Sequence, residues 1–232
     1  MNAAEIIKRL EPLENPENVA GMARFGITAK KAFGISSSVL KDFAKEIKKQ
    51  TADRHALALE LWETGIHEAR IIAYLIDDPK KVSPAQMNAW AKDFDNWAIC
   101  DSTCGNLFRR TEYAYQKAFE WAECEEEFVK RAGIVLAAWL AVHDKKTDDA
   151  RIAEFLPVLE RHAADERNFV KKAVSWSLRQ IGKRSLNLHR LAVETAERIK
   201  SQQTRAARRI ASDALRELQS AKTLERLRKK SA

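Results

Sequence analysis

The phrase Phe128-Val-Lys-Arg-Ala132 returns 41 residues later as Phe169-Val-Lys-Lys-Ala173. A looser echo links Leu178-Arg179-Gln180 to Leu215-Arg216-Glu217 after 37 residues. Around both, apolar side chains recur at three- and four-residue spacing, the period of an amphipathic helix. The windows are Ala56–Trp62, His67–Ile76, Met87–Trp97, Asp101–Phe108, Glu112–Trp121, Glu126–His143, Ile152–His162, Phe169–Ile181, Leu188–Ser201 and Arg205–Leu218. The pattern predicts a bend near Asp93 to Asn96 and a turn at Gly65. Only 7 Gly and 5 Pro interrupt a chain of 232 residues rich in Ala, Leu, Glu, Lys and Arg, all good helix formers.

Helix pairs recurring at roughly 40 residues are the signature of HEAT-type solenoids. One such pair cannot bury its apolar face alone, so neighbours stack and equivalent positions line up on one side. The expected fold is all-α, a curved α-solenoid of HEAT-like repeats with a basic concave face. One domain is expected over residues 1–222, followed by a basic tail at 223–232 that frays or touches DNA.

Charge is unevenly spread. From Arg161 to Ala232 there are 19 Lys and Arg against 7 Asp and Glu; the first 160 residues hold 22 against 26. A basic block of this size points to an anionic partner such as nucleic acid. The doublets Lys130-Arg131, Lys171-Lys172 and Arg208-Arg209 fall on equivalent helices of the repeat. At least one member of each is expected to face the concave side, where a stripe of cations suits a DNA backbone. The competing reading is ordinary solvated charge.

Two further features carry chemistry. Trp97 and Asp101 are four residues apart, so on a helix they share a face one turn apart. Either the pair sits at the edge of the core, or a carboxylate stands beside an aromatic wall in a cleft, suited to a cationic, sugar-like transition state. Trp176 stands where the first copy of the repeat has Val135. It is either core variation or a second aromatic wall.

Other classes find little support. Cys100, Cys104 and Cys124 form no metal pattern and cannot all pair, as expected in a reducing compartment. The five histidines are scattered, and the chain has no phosphate-cradling Gly-rich loop and no serine nucleophile elbow. No apolar run approaches the roughly 20 residues of a membrane span, and the N-terminus lacks a signal-peptide core. A soluble, cytoplasmic protein without metal or cofactor is expected.

Several phrases together resemble the AlkD-like DNA alkylation repair family, HEAT-like-repeat DNA glycosylases, from about Asn15 to Leu218. Met22-Ala-Arg-Phe25 followed by Phe33-Gly-Ile35 resembles the family's N-terminal helix and turn. Asn96-Trp97-Ala-Ile-Cys-Asp101 is similar to its tryptophan-to-aspartate motif. Phe128-Val-Lys-Arg-Ala132 is similar to its arginine-bearing helix, and Lys172-Ala-Val-Ser-Trp176-Ser-Leu-Arg179 to its second tryptophan motif. The resemblance implies that Asp101 is the catalytic carboxylate, with Trp97 and Trp176 as aromatic walls against the lesion nucleotide. It implies that Arg131 lies near the phosphates. Lys130, Lys171, Lys172, Arg179, Arg208 and Phe25 are the other expected DNA contacts. Phe25 stands where some members have Tyr, so a hydroxyl contact is missing there, and Ala98 stands where one member has Asp.

The implied function is a monofunctional DNA glycosylase. It would hydrolyse the N-glycosidic bond of cationic N3- or N7-alkylated purines in double-stranded DNA while the lesion stays stacked. It would act as a monomer, cytoplasmic and nucleoid-associated when bound to DNA. The alternatives are a non-catalytic HEAT-like binder of damaged or branched DNA, and a protein-interaction scaffold.

Overall fold

The computed structural model describes residues 1–231; Ala232, the last residue of the expected tail, lies outside the described residues. The chain forms two compact units, Met1–Tyr113 and Ala114–Ala232. Both are helical, as the periodicity predicts, and no β-strand occurs among the described residues.

The first unit holds α1 (Ala3–Leu10), α2 (Pro16–Arg24), α3 (Ser37–Gln50), α4 (Arg54–Glu63), α5 (His67–Ile76), α6 (Pro84–Lys92) and α7 (Trp97–Asn106). Side chains set the starts. Asn2 and Glu5 form a reciprocal cap on α1, and Asn15, Asp53, Ser83 and Asn96 cap α2, α4, α6 and α7. Pro16 and Pro84 occupy first helical positions, where no amide hydrogen is needed. The window Met87–Trp97 is two helices rather than one bent helix. Lys92 ends α6, and the Asn96 side chain accepts from the amides of Ala98 and Ile99 at 3.0 and 3.1 Å, opening α7. The core of this unit is aromatic. Trp62 and Trp90 stack with centroids 3.9 Å apart and planes 3° from parallel, flanked by Phe94 and Phe108. The Trp62 indole donates to the Asp93 carboxylate at 2.8 Å, so its polar atom is satisfied where the ring is buried.

The second unit holds α8 (Ala114–Ala122), α9 (Glu127–His143), α10 (Asp149–Ala153), α11 (Phe155–Arg161), α12 (Asn168–Gly182), α13 (Leu186–Ser201), α14 (Arg205–Leu218) and α15 (Ala221–Ser231). The window Ile152–His162 is split between α10 and α11 at Glu154. α9 is buried along most of its length, packed on α8 and α12, while α12 also meets α13 and α14. The repeated phrases lie side by side: the Phe128 and Phe169 rings are 5.1 Å apart, and the Phe169 amide donates to Glu127. Three ion pairs, Arg161–Glu123, Arg198–Glu160 and Arg179–Glu217, each join residues 38 apart. The same step along the chain therefore carries one repeat onto the next. Residues of the basic C-terminal segment form α15, with Leu227 buried and Lys230 donating to the Lys183 carbonyl.

Close helix approach depends on glycine. A Cβ on Gly133 of α9 would lie 2.4 Å from the Ala122 nitrogen and 2.8 Å from the Ala118 oxygen, both backbone atoms of α8. Gly133→Val forces α9 off α8 and destabilises the second unit by about 1–3 kcal/mol. The check is thermal unfolding, with Tm lower by roughly 3–10 °C; an unchanged Tm would contradict the packing described.

Candidate nucleic-acid site

Trp97 is the first residue of α7, and Asp101 lies one turn further on. The two side chains therefore share a face of α7. The Trp97 indole donates to the backbone carbonyl of Phe25 at 2.9 Å, tying α7 to the end of α2. Phe25 itself follows α2 and leaves its ring 74% exposed. Asp101 is half-buried and interacts with its surroundings.

Beneath this junction the segment 31–35 is held rigidly. Glu68 on α5 is buried, and its carboxylate accepts from the amides of Phe33, Gly34 and Ile35 at 2.8, 2.8 and 3.3 Å. Gly34 has φ +73°, and a Cβ there would lie 2.3 Å from the Asn15 oxygen, so the turn requires glycine. The Asn15 amide donates to the Phe33 carbonyl, and the Asn18 side chain to the Gly34 carbonyl. The His67 amide donates to Lys31, whose backbone bridges to Ile66. Together these bonds lock α2 to α5. Between them lies a cavity of about 540 Å³, lined among others by Phe25, His67, Glu68, Tyr74, Trp97 and Ser102. Burial pushes the His67 imidazole below its ordinary value, so it is neutral near pH 7. Burial also pushes the Tyr74 hydroxyl up to about 12, against a hydrogen bond with Ser102. His67, Glu68 and Tyr74 are not legible in the sequence, because their place depends on chain segments some 30 residues apart.

In the second unit Trp176 on α12 is half-buried. Its indole nitrogen is 2.9 Å from the Gln180 side-chain oxygen, which also accepts from Lys183. Its ring meets Trp139 edge-on at 5.5 Å, and Trp139 stacks with His143 at 5.2 Å. Trp139 falls off the repeated phrase, one turn past Val135, the position in register with Trp176, so the repeat does not mark it.

The expected DNA-contacting cations divide by environment. Lys130 is only 5% exposed and donates to the Ala122 carbonyl at 3.1 Å, with the His162 ring 3.4 Å away. Its ammonium thus closes the end of α8. Arg131 is 6% exposed and donates to the Phe169 carbonyl, joining α9 to α12. So in the first doublet both members are buried, against the expectation that one would stand on an open face. Arg179 and Lys183 both pair with Glu217 of α14. Burial raises the Glu217 carboxyl, but the two cations outweigh it and hold the group below its usual range. Lys171 is half-buried, with a long contact to the Glu166 carbonyl, whereas Lys172 and Arg208 are exposed.

Among the described residues, no group of three or more His, Cys, Asp or Glu could hold a metal ion, and no helix is long and apolar enough to cross a membrane.

The fold is that of the HEAT-like helical repeat proteins. A solved structure described as a new family of proteins related to the HEAT-like repeat DNA glycosylases, with affinity for branched DNA structures, superposes with a TM-score of 0.75. The two chains are 22% identical, over 93% of this chain and 95% of the other. The family is given by sequence. Residues 6–218 match the model of a family described as DNA alkylation repair enzyme, and the chain belongs to that family. No curated protein matches it.

Removing the Glu68 carboxylate orphans two buried amides, of Phe33 and Gly34, each costing about 1–3 kcal/mol, and a part-buried third, of Ile35. Glu68→Ala therefore destabilises the first unit by about 3 kcal/mol or more, while Glu68→Gln, which keeps one acceptor oxygen, costs less. Hydrogen exchange checks this: the amides of residues 33–35 lose protection while those of α9 and α12 keep theirs.

Proposed function

We propose that this protein binds duplex DNA and releases cationic N3- and N7-alkylated purines by hydrolysing the N-glycosidic bond. The single observation that carries the proposal is the Trp97–Asp101 pair on α7. It sets a carboxylate one turn from an indole whose position is fixed by the Phe25 carbonyl. Membership of the alkylation repair family supports it.

An alkylated purine with a formal positive charge is already a good leaving group, so no strong general acid is required. As the bond breaks, positive charge moves onto the deoxyribose. The Asp101 carboxylate stabilises that charge by Coulomb attraction, more strongly in a half-buried position than in open water. It also orients the attacking water. The face of Trp97 contributes attraction to the cationic nucleotide, on the order of 0.5–2 kcal/mol. Exposed cations, Lys172 and Arg208 among them, contact phosphates and give the binding its salt dependence. The enzyme works as a monomer and needs no cofactor.

Asp101→Asn keeps the shape of the side chain and removes its charge. Excision of 7-methylguanine from alkylated duplex DNA should fall at least about a hundredfold, while affinity for undamaged duplex stays within about twofold. Full excision by this variant would end the assignment.

A second reading is favoured by the likeness to the protein with affinity for branched DNA structures. Here the chain binds distorted DNA without chemistry. No free base would then appear from alkylated DNA, and a four-way junction would be bound more tightly than linear duplex at equal salt.

A further inference from the structure

The cavity between α2, α5 and α7 is unlike the rest of the molecule in charge. The chain carries a net charge of +8, yet no Lys or Arg lines this cavity among the described residues, and two carboxylates do, Glu17 and Glu68. Its aromatic lining comes from three separate elements: Phe25 after α2, Tyr74 on α5 and Trp97 on α7. His67, 6% exposed, lines it as well, and its Nδ1 is buried without a hydrogen-bond partner. The Tyr74 hydroxyl is hydrogen-bonded to Ser102, another lining residue.

These features select a ligand class. Carboxylates without cations disfavour a phosphate or any other anion. Electron-rich rings favour a planar group, and favour it more when that group is positive. Glu68 spends its oxygens on three backbone amides, so it acts as a fixed negative charge and not as a donor or acceptor for the ligand. The orphaned His67 nitrogen supplies a polar partner for a heterocycle edge, since buried polar atoms rarely stay unpaired. A volume of about 540 Å³ exceeds what one purine needs and lies within the usual range of small-molecule sites.

We infer that this cavity is a receptor for the cationic alkylated purine base itself, held there once the N-glycosidic bond has been broken. The choice of a purine as the cation rests on the glycosylase reading; the preference for a planar cation rests on the cavity alone. The base lies against Phe25 and Trp97, with His67 at its edge and Glu68 supplying long-range attraction. Holding the released base is separate from the sugar-directed role of Asp101, which acts while the lesion is still in the duplex.

The test uses the full chain and two small probes by calorimetric titration. One is 7,9-dimethyladeninium, a permanently charged purine; the other is 9-methyladenine, its neutral counterpart. The cation is expected to bind about tenfold more tightly than the neutral base. Phe25→Ala, a change at an exposed ring that leaves the fold intact, is expected to weaken the cation about fivefold or more. His67→Ala tests the edge contact and weakens both probes. Equal affinity for the two probes, or binding of the cation unaffected by Phe25→Ala, overturns the inference. Asp101→Asn separates this idea from the catalytic one. If that variant binds the cation as the parent does but excises nothing, the receptor stands on its own. If the parent excises 7-methylguanine but does not distinguish the probes, the receptor fails and the glycosylase reading survives.

Discussion

A helix with one apolar stripe can be covered by a single neighbour; α9 is apolar nearly all round and needs two. Twelve of its seventeen residues are buried, and α8 and α12 supply the cover. Almost everything in the second unit follows from that demand. Gly133 is present because α8 must approach to backbone distance. The 41-residue echo exists because α12 repeats the surface that α9 presents, down to the adjoining Phe128 and Phe169 rings. Charges caught in the packing then have no water to face. Lys130 and Arg131 turn to backbone carbonyls, of Ala122 and Phe169, and become connectors between helices.

The first unit solves a different problem. Its segment 31–35 has no regular structure of its own, so its amides must find partners elsewhere. One buried carboxylate, Glu68, answers for three of them. A negative charge is thereby installed beneath a cavity in a basic protein, as a by-product of holding a loop. An architectural need and a ligand preference share one side chain.

Helices and their repeat were legible from the sequence because both are periodic, and period survives in a linear reading. The boundary at Asn96 was half legible: the apolar spacing ran through it, but the asparagine side chain prefers to cap amides, and local capping won over periodicity. The Trp97–Asp101 pair was legible because both residues belong to one helix. What escaped was everything that needs two distant segments. Lys130 and Lys172 occupy neighbouring places in two copies of one phrase, yet one is buried and the other exposed. Composition counts them alike; only the packing around each tells them apart. His67 and Tyr74 are ordinary letters on a helix until α2 and α7 close over them.

The bond from Trp97 to residue 25 is made to a main-chain oxygen. Every amino acid offers that oxygen, so the strut between α2 and α7 is indifferent to which side chain is mounted there. The ring of Phe25 is mechanically unburdened and stands mostly in solvent. That leaves one interchangeable fitting on a fixed frame: a phenol or an aliphatic group could replace the phenyl there without rebuilding the frame itself.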